Sequence, residues 1–245
     1  MQRRWLVIAG LLAFVAGVLV IFPARVAYRW FVPEDIALAG IEGTIWNGRA
    51  DHADIAGVYV RNLEWHARPL GLFILSPSYD ARGELVSGFV EGRVTVGLGE
   101  RIRLQNTTAS VSLATLAPAL NMGAIDGTAN LRVEELEIRG GLPVVATGTL
   151  DVTNLMAPMI YARSPIGGYQ ATFFTQENGI AASVEDTDGI IDVAGSLTIN
   201  SDRSYVFLAA IAPKTGADEG IRNQMRFLGS PNERGQYELR LEGVL

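Results

Sequence analysis

From residue 35 onward, apolar and polar positions alternate with a period of two, interrupted at short intervals by Gly, Asn and Asp. In "VYVRNLEWHA", Val58 to Ala67, the residues Tyr59, Arg61, Leu63 and Trp65 alternate against Val60, Asn62, Glu64 and His66, with a slip of phase near Asn62. "FVEGRVTVGL" sets Val94 and Val96 against Arg93 and Thr95, and "ANLRVEELEI" carries Leu131, Val133, Leu136 and Ile138 with one further slip. "DVAGSLTI", "SYVFLAAI" and "QYELRLEGVL" repeat the theme. Short runs of this kind, rich in Val, Thr and Tyr and bounded by turn residues, predict antiparallel strands with one covered face. A glycine followed by a small or polar residue recurs in "EGTIW", "DGTAN", "TGTLD" and "AGSLT" at irregular spacing, which suits a long meander of related hairpins. The expectation is a mainly β fold: a long curved antiparallel sheet, as a meander, a groove or a sandwich, with one or two short helices. Helical spacing is confined to Ser112–Leu120, and to Gly216–Ser230 through Ile221, Met225 and Leu228.

The first residues follow another pattern. Trp5 to Phe22, "WLVIAGLLAFVAGVLVIF", is an uncharged run that would make roughly 27 Å of helix at ~1.5 Å per residue, close to the thickness of a bilayer core. Arg3 and Arg4 precede it and place the N-terminus in the cytoplasm, while Arg25 and Arg29 follow. Trp5, Tyr28 and Trp30 suit the two interfaces. A cleaved signal peptide needs small residues at the −3 and −1 positions, but Ala27 has Arg25 two before it and Ala24 has Phe22. The predicted organisation is a cytoplasmic tail (1–4), a transmembrane helix (5–22) and a periplasmic β-rich domain (35–245).

Composition narrows the chemistry. The 245 residues carry a net charge of −6, which lacks the basic footprint of a nucleic-acid partner. Cysteine is absent, so disulfides, thiolate metal sites and a cysteine nucleophile are excluded. Asp51, His52 and Asp54 fall close together but read as a polar turn, and His66 reads as a solvent-facing strand position. "SVEDTDGIID", Ser183 to Asp192, lacks the ligand order of a calcium loop and reads as a hairpin turn at Thr187-Asp188-Gly189. There is no Gly-x-Ser-x-Gly elbow, and Lys214 is the only lysine, so no Ser-x-x-Lys pair exists. Neither catalytic residues, metal ligands nor a cofactor are expected.

"GIEGTIWNGRA", Gly40 to Ala50, places Trp46 beside Asn47-Gly48, a type I′ hairpin signal. The indole is either a core residue beside a tight turn or the lining of a groove.

The block Gly43, Thr44, Trp46 and Gly48, the pair Leu63 and Trp65 with Pro69-Leu70, and the closing pattern Leu228, Gly229, Pro231, Gly235 and Tyr237 together resemble protein N of the bacterial type II secretion system. Asn232 follows the proline where that family favours Asp. The resemblance implies a non-catalytic inner-membrane accessory of a machine that exports folded proteins across the outer membrane. It implies partners among the other inner-membrane and periplasmic proteins of that system, and those motif positions are read as structural. The family is also distantly similar to the AsmA-like group, which implies an alternative role in periplasmic lipid binding or transfer.

Overall fold

The computed structural model describes Trp5, Ile8, Gly10, Leu11, Phe14, Gly17, Val18 and residues 20–31, 36–55, 57–68, 76–97, 99, 101–118, 123–158 and 165–244. Fourteen strands build one sheet: β1 (Ile36–Ala39), β2 (Glu42–Gly43), β3 (Asn47–Ile55), β4 (Val58–Arg68), β5 (Ser78–Leu85), β6 (Gly88–Gly97), β7 (Arg101–Ser112), β8 (Asp126–Arg139), β9 (Leu142–Met156), β10 (Gly167–Gln176), β11 (Gly179–Asp186), β12 (Ile191–Asn200), β13 (Ser204–Pro213) and β14 (Tyr237–Val244). From β3 to β14 each strand pairs antiparallel with the next, β1 lies outside β3, and β2 pairs with β3 off the main path. The long meander is therefore the form taken, in a single sheet. Besides the helical residues up to Val20, three short helices accompany it among the described residues, α1 (Ala24–Phe31), α2 (Leu113–Leu116) and α3 (Glu219–Met225), the last continuing as a 3-10 turn over Arg226–Leu228. Both segments with helical spacing hold a helix, each shorter than the pattern suggested.

The slips of phase are β-bulges. Asn62, Asn106 and Asn154 have φ of 49°, 46° and 52°, the left-handed region that Asn tolerates better than other side chains. The β4–β5 register shifts between Arg61 and Glu64, the β6–β7 register between Glu91 and Arg93, and the β8–β9 register between Val133 and Glu135. An inserted residue bends its strand and swaps the side chains beyond it to the other face. That is why Val58 and Val60 share a face with Leu63 and Trp65 only across the irregularity.

A row of paired residues crosses one end of the sheet and carries the buried cluster of Ala53, Val60, Leu85, Val111 and Ala129. It passes from Leu38 through Ala53 and Val60 to Leu85, and beyond Gly88 from Val111 to Ala129 and Val152. It continues through Tyr169 to Asp186, then from Val193 to Ile211 and Tyr237. Leu113 and Leu116 of α2 cover its first half, and Ile221 and Met225 of α3 cover its last strands. Asp218 caps α3 by accepting from the Ile221 N–H at 3.0 Å, and Glu219 in the first turn suits the positive end of the helix. Cover is thin elsewhere: Ile221 and Glu137 are the largest side chains less than 2% exposed, while Phe89, Phe174 and Leu208 are more than 40% exposed.

Two expectations change, and a third lies largely outside the described residues. The Gly40–Ala50 hairpin turns at Ile45-Trp46, between Gly43 paired with Gly48, so Asn47-Gly48 lies inside β3 and not at a type I′ turn. Asp51, His52 and Asp54 also belong to β3, where His52 packs its ring 5.7 Å from that of Tyr59, so they form no turn. Of the Trp5–Phe22 run only part is described; those residues up to Val20 are helical, but among the described residues no helix is long and apolar enough to cross a membrane. His66 is exposed, as its strand position predicted.

Candidate functional site

At the opposite end of the strands from α2 and α3, the chain enters the sheet through a set of local contacts. The helical residues before it stop at Ile21, and Pro23 makes a β-bridge with Thr44. Ile45 N–H donates to the Phe22 carbonyl at 3.1 Å, tying the hairpin turn to the end of the apolar run. Within the turn, Thr44 N–H donates to the Asn47 carbonyl at 2.8 Å, and Thr44 Oγ1 accepts from the N–H groups of Trp46 and Asn47 at 3.3 and 3.2 Å. A hydroxyl at position 44 thus organises a turn that carries no glycine at its centre.

Two glycines of the motif have steric reasons to be there. Gly43 has φ of 85°, a conformation costly for any residue with a Cβ. Gly48 lies under the Trp65 ring, and a Cβ at that position would stand 2.3 Å from Trp65 Cζ2. Trp65 in turn donates from Nε1 to the Thr44 carbonyl at 3.3 Å. Gly43, Thr44, Gly48 and Trp65 are therefore one assembly, and Leu63 joins it through the cluster of Ala24, Ile41 and Ala50. Trp46 is half-buried at the turn, so it is not the fully buried core residue of the first alternative.

Helix α1 lies over this assembly. Ala24 and Tyr28, one turn apart, face the sheet, whereas Arg25 and Arg29, also one turn apart, are exposed. Tyr28 Oη donates to the Ile36 carbonyl and accepts from Leu38 N–H, both at 3.2 Å, which fastens α1 to β1. Between α1 and the sheet an apolar cleft of about 720 Å³ remains, lined among others by Phe22, Trp30, Ile45, Trp65 and Tyr79. Burial raises the pKa of the Tyr79 phenol and keeps it neutral at physiological pH. The cleft can hold a hydrocarbon chain or an apolar side chain, and its lining offers little to a reacting polar group. Tyr28 was expected at a membrane interface and lines this cleft, while Ile41 and Tyr79 were not singled out by the sequence pattern; Tyr79 reaches the cleft through the pairing of β5 with β4.

The C-terminal motif stands apart, at the α3 end. Leu228 and Gly229 close the 3-10 turn, and Gly235, with φ of 76°, lies in the loop before β14. Asn232 Oδ1 accepts from the N–H groups of Arg234 and Gln236, each at 3.0 Å. A carboxylate could accept the same two bonds, so Asn in place of Asp preserves the loop. Pro231 precedes that residue, and Tyr237 packs on the Ile191, Ile221 and Met225 cluster. Pro69 and Leu70 lie outside the described residues.

Among the described residues one charged group, Glu137, is buried in the sheet, and Asp186 is partly buried. Glu137 is 1% exposed and contacts Arg101, Arg103 and Arg139, the nearest guanidinium nitrogens at 2.5 Å; the hydrogen bond from Arg103 holds its carboxyl below the usual range. Asp186 pairs with Lys214, and burial, with Asp186 and Asp188 nearby, pushes the Tyr169 phenol up to about 12. Among the described residues no group of three or more His, Asp or Glu could hold a metal ion.

Comparison with known proteins agrees on the family. The model of the family "Type II secretion system (T2SS), protein N" matches residues 34–240. The protein of Aeromonas hydrophila named type II secretion system protein N is 22% identical over 251 residues, covering 99% of each chain. The protein of the same name from Vibrio cholerae serotype O1 is 25% identical over 244 residues, covering 94% of this chain and 93% of that one. No solved structure matches.

Proposed function

The chain belongs to the type II secretion system protein N family, and we propose that it acts there as a non-catalytic inner-membrane accessory that presents a periplasmic scaffold. In this reading Trp5–Phe22 crosses the membrane once, the N-terminus is cytoplasmic, and the sheet domain from residue 35 is periplasmic. The observation that carries it is at the entrance to the sheet. The helical residues Trp5, Leu11, Phe14 and Val20 are each more than 60% exposed, and the same segment is tied to the domain through Phe22 and Pro23. Apolar side chains in that number call for a lipid cover.

The scaffold reading draws on the edges of the sheet. Among the described residues β14 pairs only with β13, so its outer N–H and C=O groups are available to an added strand from a partner. Other inner-membrane and periplasmic proteins of the secretion system are the proposed partners. In-cell crosslinking of the full-length protein, gentle solubilisation and mass spectrometry of proteins and lipids test this. Recovery of secretion-system proteins crosslinked to β14 is expected; their absence, with the chain present in the membrane, would overturn the scaffold.

The apolar cleft favours a second reading, in which the domain binds or transfers phospholipid. Stoichiometric phospholipid without secretion-system partners in the same experiment would select it.

A further inference from the structure

We propose that the Gly43–Gly48 hairpin and helix α1 form a platform that rests on the phospholipid bilayer, with Trp46 and Trp30 at the level of the lipid headgroups. The proposal rests on the membrane reading above, and adds to it a contact between the folded domain and the lipid surface. Its warrant is connectivity. If the apolar run from Trp5 leaves the bilayer at Phe22, the surface lies where that residue lies. Phe22 accepts from Ile45 N–H at 3.1 Å, so the turn containing Trp46 is held at that level by a backbone hydrogen bond and by the Pro23–Thr44 bridge. Across the turn, Ala67 N–H donates to the Trp46 carbonyl, which fixes the turn to β4 as well.

The side chains suit that position. Trp30 is 69% exposed, and its ring lies 6.1 Å from that of Phe22 at a tilt of 51°. All four tryptophans, Trp5, Trp30, Trp46 and Trp65, fall within the first 65 residues. Indoles concentrate at bilayer interfaces because their apolar ring and N–H suit opposite sides of the boundary. Arg29 is exposed on α1 and suited to anionic phosphates, as is the exposed Arg25, whose Nε also donates to the Ile41 carbonyl at 2.5 Å, while Glu42 of the hairpin is neutralised by Arg49 at 2.7 Å. The apolar cleft opens beside these residues, where an acyl chain would be available.

The test uses the full-length chain in vesicles of phosphatidylethanolamine and phosphatidylglycerol, carrying bromine either near the headgroup or near the acyl terminus. Trp5→Phe, Trp30→Phe and Trp65→Phe together leave Trp46 as the sole indole, and the matching set with Trp46→Phe leaves Trp30. Each reporter is expected to lose emission, more to shallow than to deep bromine. A cysteine introduced at Gly216, in the loop before α3, carries a dye that the same lipids leave unquenched. Resistance to alkaline extraction reports the span separately. A chain that resists extraction while either Trp46 or Trp30 goes unquenched overturns the platform and leaves the span intact. A chain extracted by alkali overturns the membrane reading and the platform with it. Melting curves of both reporter sets confirm that the fold survives the substitutions.

Discussion

Two helices cover opposite ends of the same meander, and they do so differently. Helix α3 places Ile221, 1% exposed, and Met225 against Ile191 and Tyr237, leaving a closed cluster held by the Asp218 cap. Helix α1 offers Ala24 and Tyr28 to the sheet and leaves a cleft of about 720 Å³ beside them. Ile221 and Met225, one turn apart, fill the space under α3, whereas Ala24 permits close approach at one point of α1 and leaves a gap beside it. The C-terminal end is therefore closed by packing, and the N-terminal end leaves an apolar cleft open.

Truncation of the two caps tests that contrast directly. Ile221→Ala is expected to cost about 2–5 kcal/mol, read as a fall in Tm followed by circular dichroism, since it empties a filled site. An effect below about 1 kcal/mol would place α3 on the surface and erase the contrast. At the other end, Gly48→Ala is expected to cost about 1–3 kcal/mol by driving a methyl into the Trp65 ring, with a change in tryptophan emission that Ile221→Ala does not produce.

The buried Glu137 lies outside both caps and sharpens the comparison by acting on the sheet alone. Glu137→Gln is expected to cost about 1–3 kcal/mol at neutral pH, discounted because its arginine partners are 39–52% exposed. Its folded pKa is lowered, so its stabilisation is present above the unfolded value of about 4.3 and is lost as pH falls through the lower folded value. The gap between the two proteins should therefore begin to narrow as pH falls below about 4.3 and close only below the folded value. Persistence of the full gap in acid would mean that packing, not charge, sets the effect.

The smallest effect is expected at Trp46. A half-buried indole on a turn loses about 1–2 kcal/mol on change to Ala, less than the 3–5 kcal/mol of a fully buried one. A larger fall in Tm in detergent would return Trp46 to the core.

Much of the sheet was legible in the alternation. β4, β6, β8, β12, β13 and β14 lie where period-two runs predicted, and the slips at Asn62 and in the Leu131–Ile138 run are bulges. The turn at Ile45-Trp46 was not legible, because Asn47-Gly48 is the stronger local signal. Trp65 overrides it from 17 residues beyond Gly48, covering the glycine and donating from its indole N–H to the Thr44 carbonyl of the turn. Part of the candidate site was also hidden: Leu63 and Trp65 were singled out and Tyr28 was placed at a membrane interface, but Ile41 and Tyr79 reach the cleft only through the tertiary fold. The charges around Glu137 had a faint signal in "RIR" and "EELEIR", whose alternation becomes complementary once β7 lies against β8.

Sequence alone settled the class of fold and the short helices at Leu113–Leu116 and Glu219–Met225, because each depends on local spacing, while the helix at Ala24–Phe31 was not foreseen. Tertiary structure decided which glycines face an indole, where the first hairpin turns, and that one cap is closed and the other open. Those outcomes depend on contacts between residues distant in the chain, where the volume of one side chain is matched or left unmatched by another.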